Sequence, residues 1–329
     1  MLPRGTPISR SLLSQLLIPN PLVSGSRYSC HGRLFSGQHA ISTTSQSRED
    51  PLPIGTKIKG DSGRVYTIEE ILADRRKPLL CVYRARANGG SFIIKNMIPG
   101  DFEYQLDLQK RLATCPNVRS VVDTVPDLEL FIYPFLAGDL LRLTQTSLTR
   151  EARVHILRCA LHGLADMHER DVLHNGKSPN IKANNILVDY EESIQGQMAI
   201  KNVQISNLED SAIVPPGKWL RGPLCGNAIW RSPESWCRSR RNQASDVFSY
   251  AIVMIYVMLN EMVFRVSDSQ IHASDSWRYV LRRHVSYFAN EEGFTGLLGH
   301  ICADNPFHAR LIELAGDFFE DNPRQPFGS

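Results

Sequence analysis

The sequence has no Cys-x-x-Cys pair. Its seven cysteines, Cys30, Cys81, Cys115, Cys159, Cys225, Cys237 and Cys302, are scattered and odd in number. That argues against a metal-binding or disulfide framework and for reduced thiols. No internal repeat occurs. Long apolar runs are also missing, with one exception, "VFSYAIVMIYVMLNEMVF" from 247. Ser249, Tyr250, Asn260 and Glu261 interrupt it, so it is expected to be a buried core helix with Asp246 as its N-cap, and no membrane span is expected. Residues 1–48 contain no Lys, Asp or Glu but hold Arg4, Arg10, Arg27, Arg33 and Arg48. Removing those five from 37 basic residues leaves 32 against 34 acidic ones, a body of about −2 that does not suggest a nucleic-acid binder.

The arginine- and serine-rich, acid-free start reads as a mitochondrial transit peptide over 1–50, or else as a disordered leader. "ISRSLLSQLLI" places Ile8, Leu12, Leu13, Leu16 and Leu17 on one side of a short helix. Mitochondrial localisation is expected on this reading, and a cytoplasmic one otherwise.

From residue 66 the pattern is that of strands. "YTIEEILA", "LLCVYRARA" and "SFIIKNM" are short and apolar or β-branched, with "NGG" as a turn. The spacing of Leu108 and Leu112 predicts a helix over "FEYQLDLQKRLA", followed by strands "VRSVVDTV" and "LELFIYPF". After "LAGD" the pattern turns helical. "TREARVHILRCALHGLADMHER" repeats Val154, Leu157, Leu161 and Leu164 behind Thr149 as N-cap. Strands "NILVDY" and "MAIKNVQIS", a loop over 207–233, and helices over 245–264 and 276–318 complete the reading. The expected fold class is α+β: a small β-rich lobe, 51–137, and a larger helical lobe, 138–329.

Over residues 66–329 the sequence resembles the eukaryotic protein-kinase family. Four motifs carry the resemblance in the family's order: "FIIK", "NIKANNILVD", "WRSPES" and "SDVFSYAIVMIYVML". The resemblance implies a bilobal protein-kinase-like fold and an ATP site made by Lys95, Asn185 and Val82. Lys95 would grip the phosphates, Lys182 would be the loop lysine, and Asn185 a metal-ligand asparagine. Glu234 and Asp246 would be structural acids. A protein partner or protein substrate is implied.

The same comparison exposes departures. Asn180 stands at the catalytic base, and an amide has no basic lone pair near neutral pH, a loss of roughly 10²–10⁴ in rate. Pro179 replaces the arginine that receives an activating phosphate, and over 208–230 Ser211 is the only hydroxyl. A second register starts from His174 with "NGKS" inserted, yet no Asp lies between Asp171 and Asp189 in either. Asn207 replaces the metal-bridging carboxylate in "NLE", with Glu209 or Asp210 as candidate substitutes, so Mg²⁺ at Asn185 and Asn207 is expected to be weak or lost. Arg75, Lys77 and Leu80 fill the glycine positions of the phosphate cover. Arg75, Arg76 and Lys77 would meet phosphates as point charges or form a solvated basic turn. The helix partner of Lys95 is left among Gln105, Glu103 and Asp107. At the C-terminus, "DNPRQP" either offers Arg324 to Glu234 or marks an early end that leaves apolar surface exposed on the large lobe. The expectation is a catalytically impaired, kinase-like binding module. The alternatives are a weakly active Ser/Thr kinase and a small-molecule phosphotransferase.

Overall fold

Alternation decides the sheet. In "CVYRARA" every second residue, Cys81, Tyr83, Ala85 and Ala87, is buried, while Arg84 and Arg86 face outward. The computed structural model describes residues 50–76, 79–174, 181–192, 198–222, 224 and 227–326, within a body running from Gln46 to Ser329. The leader over 1–48 lies outside the described residues, as do Lys77, Pro179 and Asn180.

Strands β1 (Lys57–Lys59), β2 (Val65–Arg76), β3 (Leu79–Ala87), β4 (Gly90–Asn96), β5 (Asp123–Val125) and β6 (Leu130–Pro134) form an antiparallel sheet in the order β1-β2-β3-β4-β6-β5. "NGG" behaves as expected. Asn88 and Gly89 both take positive φ, 47° and 77°, and Ala87 pairs with Gly90 across a two-residue hairpin loop. One sheet face buries Tyr66, Ile68, Tyr83, Ile94 and Ile132, and the other packs Ile93, Phe131 and Tyr133 against helix α1 (Phe102–Leu112). The predicted strand at "VRSVVDTV" is shorter than expected. Only 123–125 pair in the sheet, because Val118 bridges to Ile205 and Arg119 N–H bonds to the Ile205 carbonyl instead.

Beyond Pro134 the elements are α2 (Leu140–Leu143), α3 (Arg150–Glu169), α4 (Pro233–Trp236), α5 (Gln243–Leu259), α6 (Asp268–Ile271), α7 (Ser276–Phe288), α8 (Glu291–Ile301) and α9 (Phe307–Gly316). Short strands β7 (Gly138–Asp139), β8 (Val172–Leu173), β9 (Ile186–Glu192), β10 (Met198–Ile205) and β11 (Ala212–Ile213) lie among them. The segment expected as loop over 207–233 therefore carries β11 and the start of α4. Thr149 caps α3 by accepting from Ala152 N–H at 3.2 Å. Of the four apolar residues read as its core stripe, Leu157 and Leu164 are buried, but Val154 and Leu161 are 38% and 45% exposed. Ile156, Ala160, Gly163 and Met167 complete the buried face instead. Gly163 is required there, since a Cβ would lie 2.4 Å from the Asn117 carbonyl oxygen.

Helix α5 is the buried core helix expected, ending at Asn260 in the left-handed region. Its N-cap is Asn242, which accepts from Ala244 N–H at 3.0 Å, and not Asp246, which points into the core. Among the described residues no helix is long and apolar enough to cross a membrane. The outer side of α5 leaves Val247, Met254, Met258 and Leu259 exposed. Glu234 accepts from the Ser245 hydroxyl. No ion pair joins it to Arg324 among the described residues, and the buried Arg324 Nε has no partner.

Candidate functional site

Lys95 sits on β4 directly opposite Val82 on β3, so both side chains leave the same face of the sheet. Val82 packs with Ile93, Phe131 and Tyr133. The Lys95 ammonium donates to Asn207 Oδ1 at 2.7 Å and to Glu209 Oε1 at 3.0 Å, and lies 5.8 Å from the Tyr133 ring centre. The sequence left its partner among three residues of α1, and none of them fills the role. Glu103 is exposed, and Asp107 pairs with Arg111 at 3.3 Å. Gln105 is buried and donates to the Glu209 main-chain carbonyl at 2.7 Å. The reason is chemical: an amide at the helix position cannot neutralise an ammonium, so the nearest carboxylate does. That same contact turns Glu209 Oε1 toward Lys95.

The metal loop follows β10. Asn207 adopts φ 61°, ψ 52°, a left-handed conformation that asparagine tolerates better than most residues. It donates from Nδ2 to Asn185 Oδ1 at 2.9 Å. Asn185 is fully buried, and its carbonyl accepts from both Ser206 N–H, 2.7 Å, and Ser206 Oγ, 2.9 Å. Lys95, Asn207 and Asn185 thus form one donor-to-acceptor chain across the cleft. Lys182 lies at the start of the turn Ala183–Asn185; burial lowers its pKa, opposed by the charge of Asp210. Burial also pushes the Glu209 carboxyl upward, but the charge of Lys95, hydrogen bonds and Arg119 outweigh it and hold the group ionised at a lowered pKa.

The structure brings together Lys95, Val82, Asn185, Asn207 and Glu209. Arg75 and Leu80 pair across the β2–β3 hairpin and continue the two strands as regular ladder. Arg76, at the end of β2, bonds Asp50 at 2.7 Å and Asp74 at 2.8 Å while half exposed.

Arg119 was missed. It is 5% exposed, donates from Nη2 to the Pro134 carbonyl at 2.7 Å and lies 4.8 Å from the Tyr133 ring centre. Burial lowers its pKa to about 10, with Tyr133 and Glu209 acting the other way. A lone Arg in an apparent strand gave no local signal of burial. The one available clue was its position in "NVRSVV", where an inward-facing residue is expected to be apolar.

Behind the cleft, Asp246 accepts from His174 N–H at 2.9 Å and bonds His168 Nε2 at 3.0 Å. His174 Nε2 in turn donates to the Ser206 carbonyl at 3.0 Å, immediately before Asn207. The structural acid expected on α5 therefore supports both the loop after β8 and the metal loop.

This two-part architecture, with a lysine-bearing sheet above an asparagine-bearing loop, defines the protein-kinase class. The family model "Protein kinase domain" matches residues 106–306, and the chain belongs to that family. It is 35% identical over 120 residues to "Serine/threonine-protein kinase pakG" of Dictyostelium discoideum, a match covering 36% of this chain and 9% of that one. It is 28% identical over 162 residues to "Serine/threonine-protein kinase pkn3" of Myxococcus xanthus, covering 47% and 29%. The chain thus matches less than a third of either relative's length. Among solved structures, "Structure of vaccinia related kinase 3" superposes with a TM-score of 0.54 at 15% identity, covering 82% of this chain and 91% of that one, which shows the fold.

Proposed function

We propose that this protein is a pseudokinase: a kinase-fold module, with lobes over 51–137 and 138–329, that binds a protein partner and transfers phosphate poorly or not at all. The observation that carries this reading is the bonding of Lys95. Its ammonium is held by the amide oxygen of Asn207 and the carboxylate of Glu209, so the group that would grip the nucleotide phosphates already has two partners.

Kinases commonly use ATP with Mg²⁺, and the residues present do not suit the ion. Mg²⁺ prefers hard anionic oxygens in octahedral array. Here the two aligned ligands are neutral amides, with Asn207 Oδ1 engaged by Lys95 and Asn185 Oδ1 by Asn207 itself. What this chain's residues can do is bind and orient. Val82 offers an apolar contact to a base, Lys95 a cation to phosphate, and Lys182 a second cation. Asn180, lacking a basic lone pair, orients a hydroxyl without taking its proton.

The retained Lys182 and the kinases among its relatives favour a second reading, a slow Ser/Thr protein kinase. Incubation of the purified full chain with γ-labelled ATP and a generic Ser/Thr substrate separates the two. No transfer above that of Lys95→Met is expected; transfer that Lys95→Met abolishes would establish the second reading. The acid-free first 48 residues support a mitochondrial destination. Fluorescent fusions with and without them should differ in location, and identical cytosolic signals would refute the address.

A further inference from the structure

The amides of the metal loop leave the cleft with a charge balance opposite to that of a divalent-ion site. Lys95, Arg119 and Lys182 bring three positive charges, against Glu209 and Asp210 with two negative ones. Lys95 and Arg119 both feel the charge of Glu209, and Lys182 that of Asp210. Arg119 is deeply buried, yet its Nε has no hydrogen-bond partner among the described residues. Such a group is costly to leave unmet.

Resting on the pseudokinase reading, we propose that the cleft is a receptor for a triphosphate anion taken without a divalent ion, and that Glu209 is its gate. The Glu209 carboxylate occupies the place on Lys95 that a phosphate oxygen would take, at 3.0 Å. Gln105 holds the main-chain carbonyl of Glu209 and not its carboxylate. The backbone therefore stays fixed while the side chain, 21% exposed, rotates toward solvent. Once it leaves, Lys95 and Arg119 lose the carboxylate whose charge both feel, and an anion restores one. Magnesium opposes this binding: it halves the charge of the ligand, and the amide oxygens at both aligned metal positions are already engaged.

The test is calorimetric titration of the full chain with ATP in EDTA, ATP with excess Mg²⁺, and inorganic triphosphate in EDTA. ATP in EDTA is expected to bind about tenfold more tightly than with Mg²⁺, the worth of one charge-assisted bond. Inorganic triphosphate should compete with it. Glu209→Gln should tighten both by about tenfold and Lys95→Met should weaken both by at least as much. The wild-type magnesium comparison stands even if a variant fails to fold. Tighter binding with Mg²⁺, failure of triphosphate to compete, or no binding in any arm overturns the gate and leaves the pseudokinase reading intact. Transfer of the γ-phosphate would instead defeat that reading.

Discussion

Two acid positions of this protein have had opposite fates. Asp246 retains its carboxylate and is completely buried, bonding the His174 main chain and the His168 ring. Asn207, joined to it through His174 and the Ser206 carbonyl, is an amide where the resemblance implies an acid. The first acid holds two segments of chain together; the second would have held an ion. On the pseudokinase reading proposed above, the bonds maintaining the fold and the charges driving kinase chemistry lie on different side chains, so a chain can keep one set without the other.

The sharpest way to break this contrast is to remove the anchor. Asp246→Ala should destabilise the protein by about 3–5 kcal/mol, the cost of deleting one partner from a buried, charge-bearing network. Urea unfolding is the measurement. Asp246→Asn keeps an acceptor for the His174 N–H and should lose less. A loss below about 1 kcal/mol for the alanine variant, the range of exposed pairs, would mean that the anchor is no more structural than the cleft.

The cleft pair should matter less to stability. Glu209→Gln removes the carboxylate but keeps its shape, and the expected cost is about 1.5–3 kcal/mol, that of a hydrogen bond to a charged group. The effect has a pH signature. Glu209 is held below its ordinary value of 4.5 in the folded chain, so its contribution is fully present above about pH 4.5. It fades as pH falls through the lowered folded value. The difference in unfolding free energy between wild type and Glu209→Gln should therefore shrink on acidification below pH 4.5. A difference that stays constant down to pH 3 would show that the Lys95 contact does not form in solution.

How much of this could be read beforehand depended on the range of the determining contact. Local chemistry was legible: the "NGG" hairpin, the Thr149 cap and the alternation in β3 each depend on residues within a few positions. The motifs also placed Lys95, Val82, Asn185 and Asn207 in one site. What escaped was set by residues far apart in sequence. Glu209 meets Lys95 across 114 positions, so an α1-centred search for the partner looked in the wrong place. Asp246 has the composition of a cap, but its bonds run 72 and 78 positions back. Val154 and Leu161 fit a helical stripe, yet periodicity alone does not say which side of an apolar stripe has a neighbour.

The smallest expected effect is the most instructive. Restoring both acids, Asn180→Asp with Asn207→Asp, returns a base and an anionic metal ligand, and on the sequence alone should raise transfer. The Lys95 contacts argue otherwise. Asp at 207 would place a second carboxylate beside the ammonium already paired with Glu209, tightening the hold on the lysine that a phosphate needs. The double variant is therefore expected to transfer γ-phosphate no faster than wild type. Adding Gln105→Glu and Glu209→Gly moves the counter-charge onto α1 and frees the loop, and only this fourfold variant should rise above background in a labelled-ATP assay. Equal gains in the double and fourfold variants would mean that Glu209 does not restrain Lys95, and that the missing carboxylates alone separate this cleft from an active one.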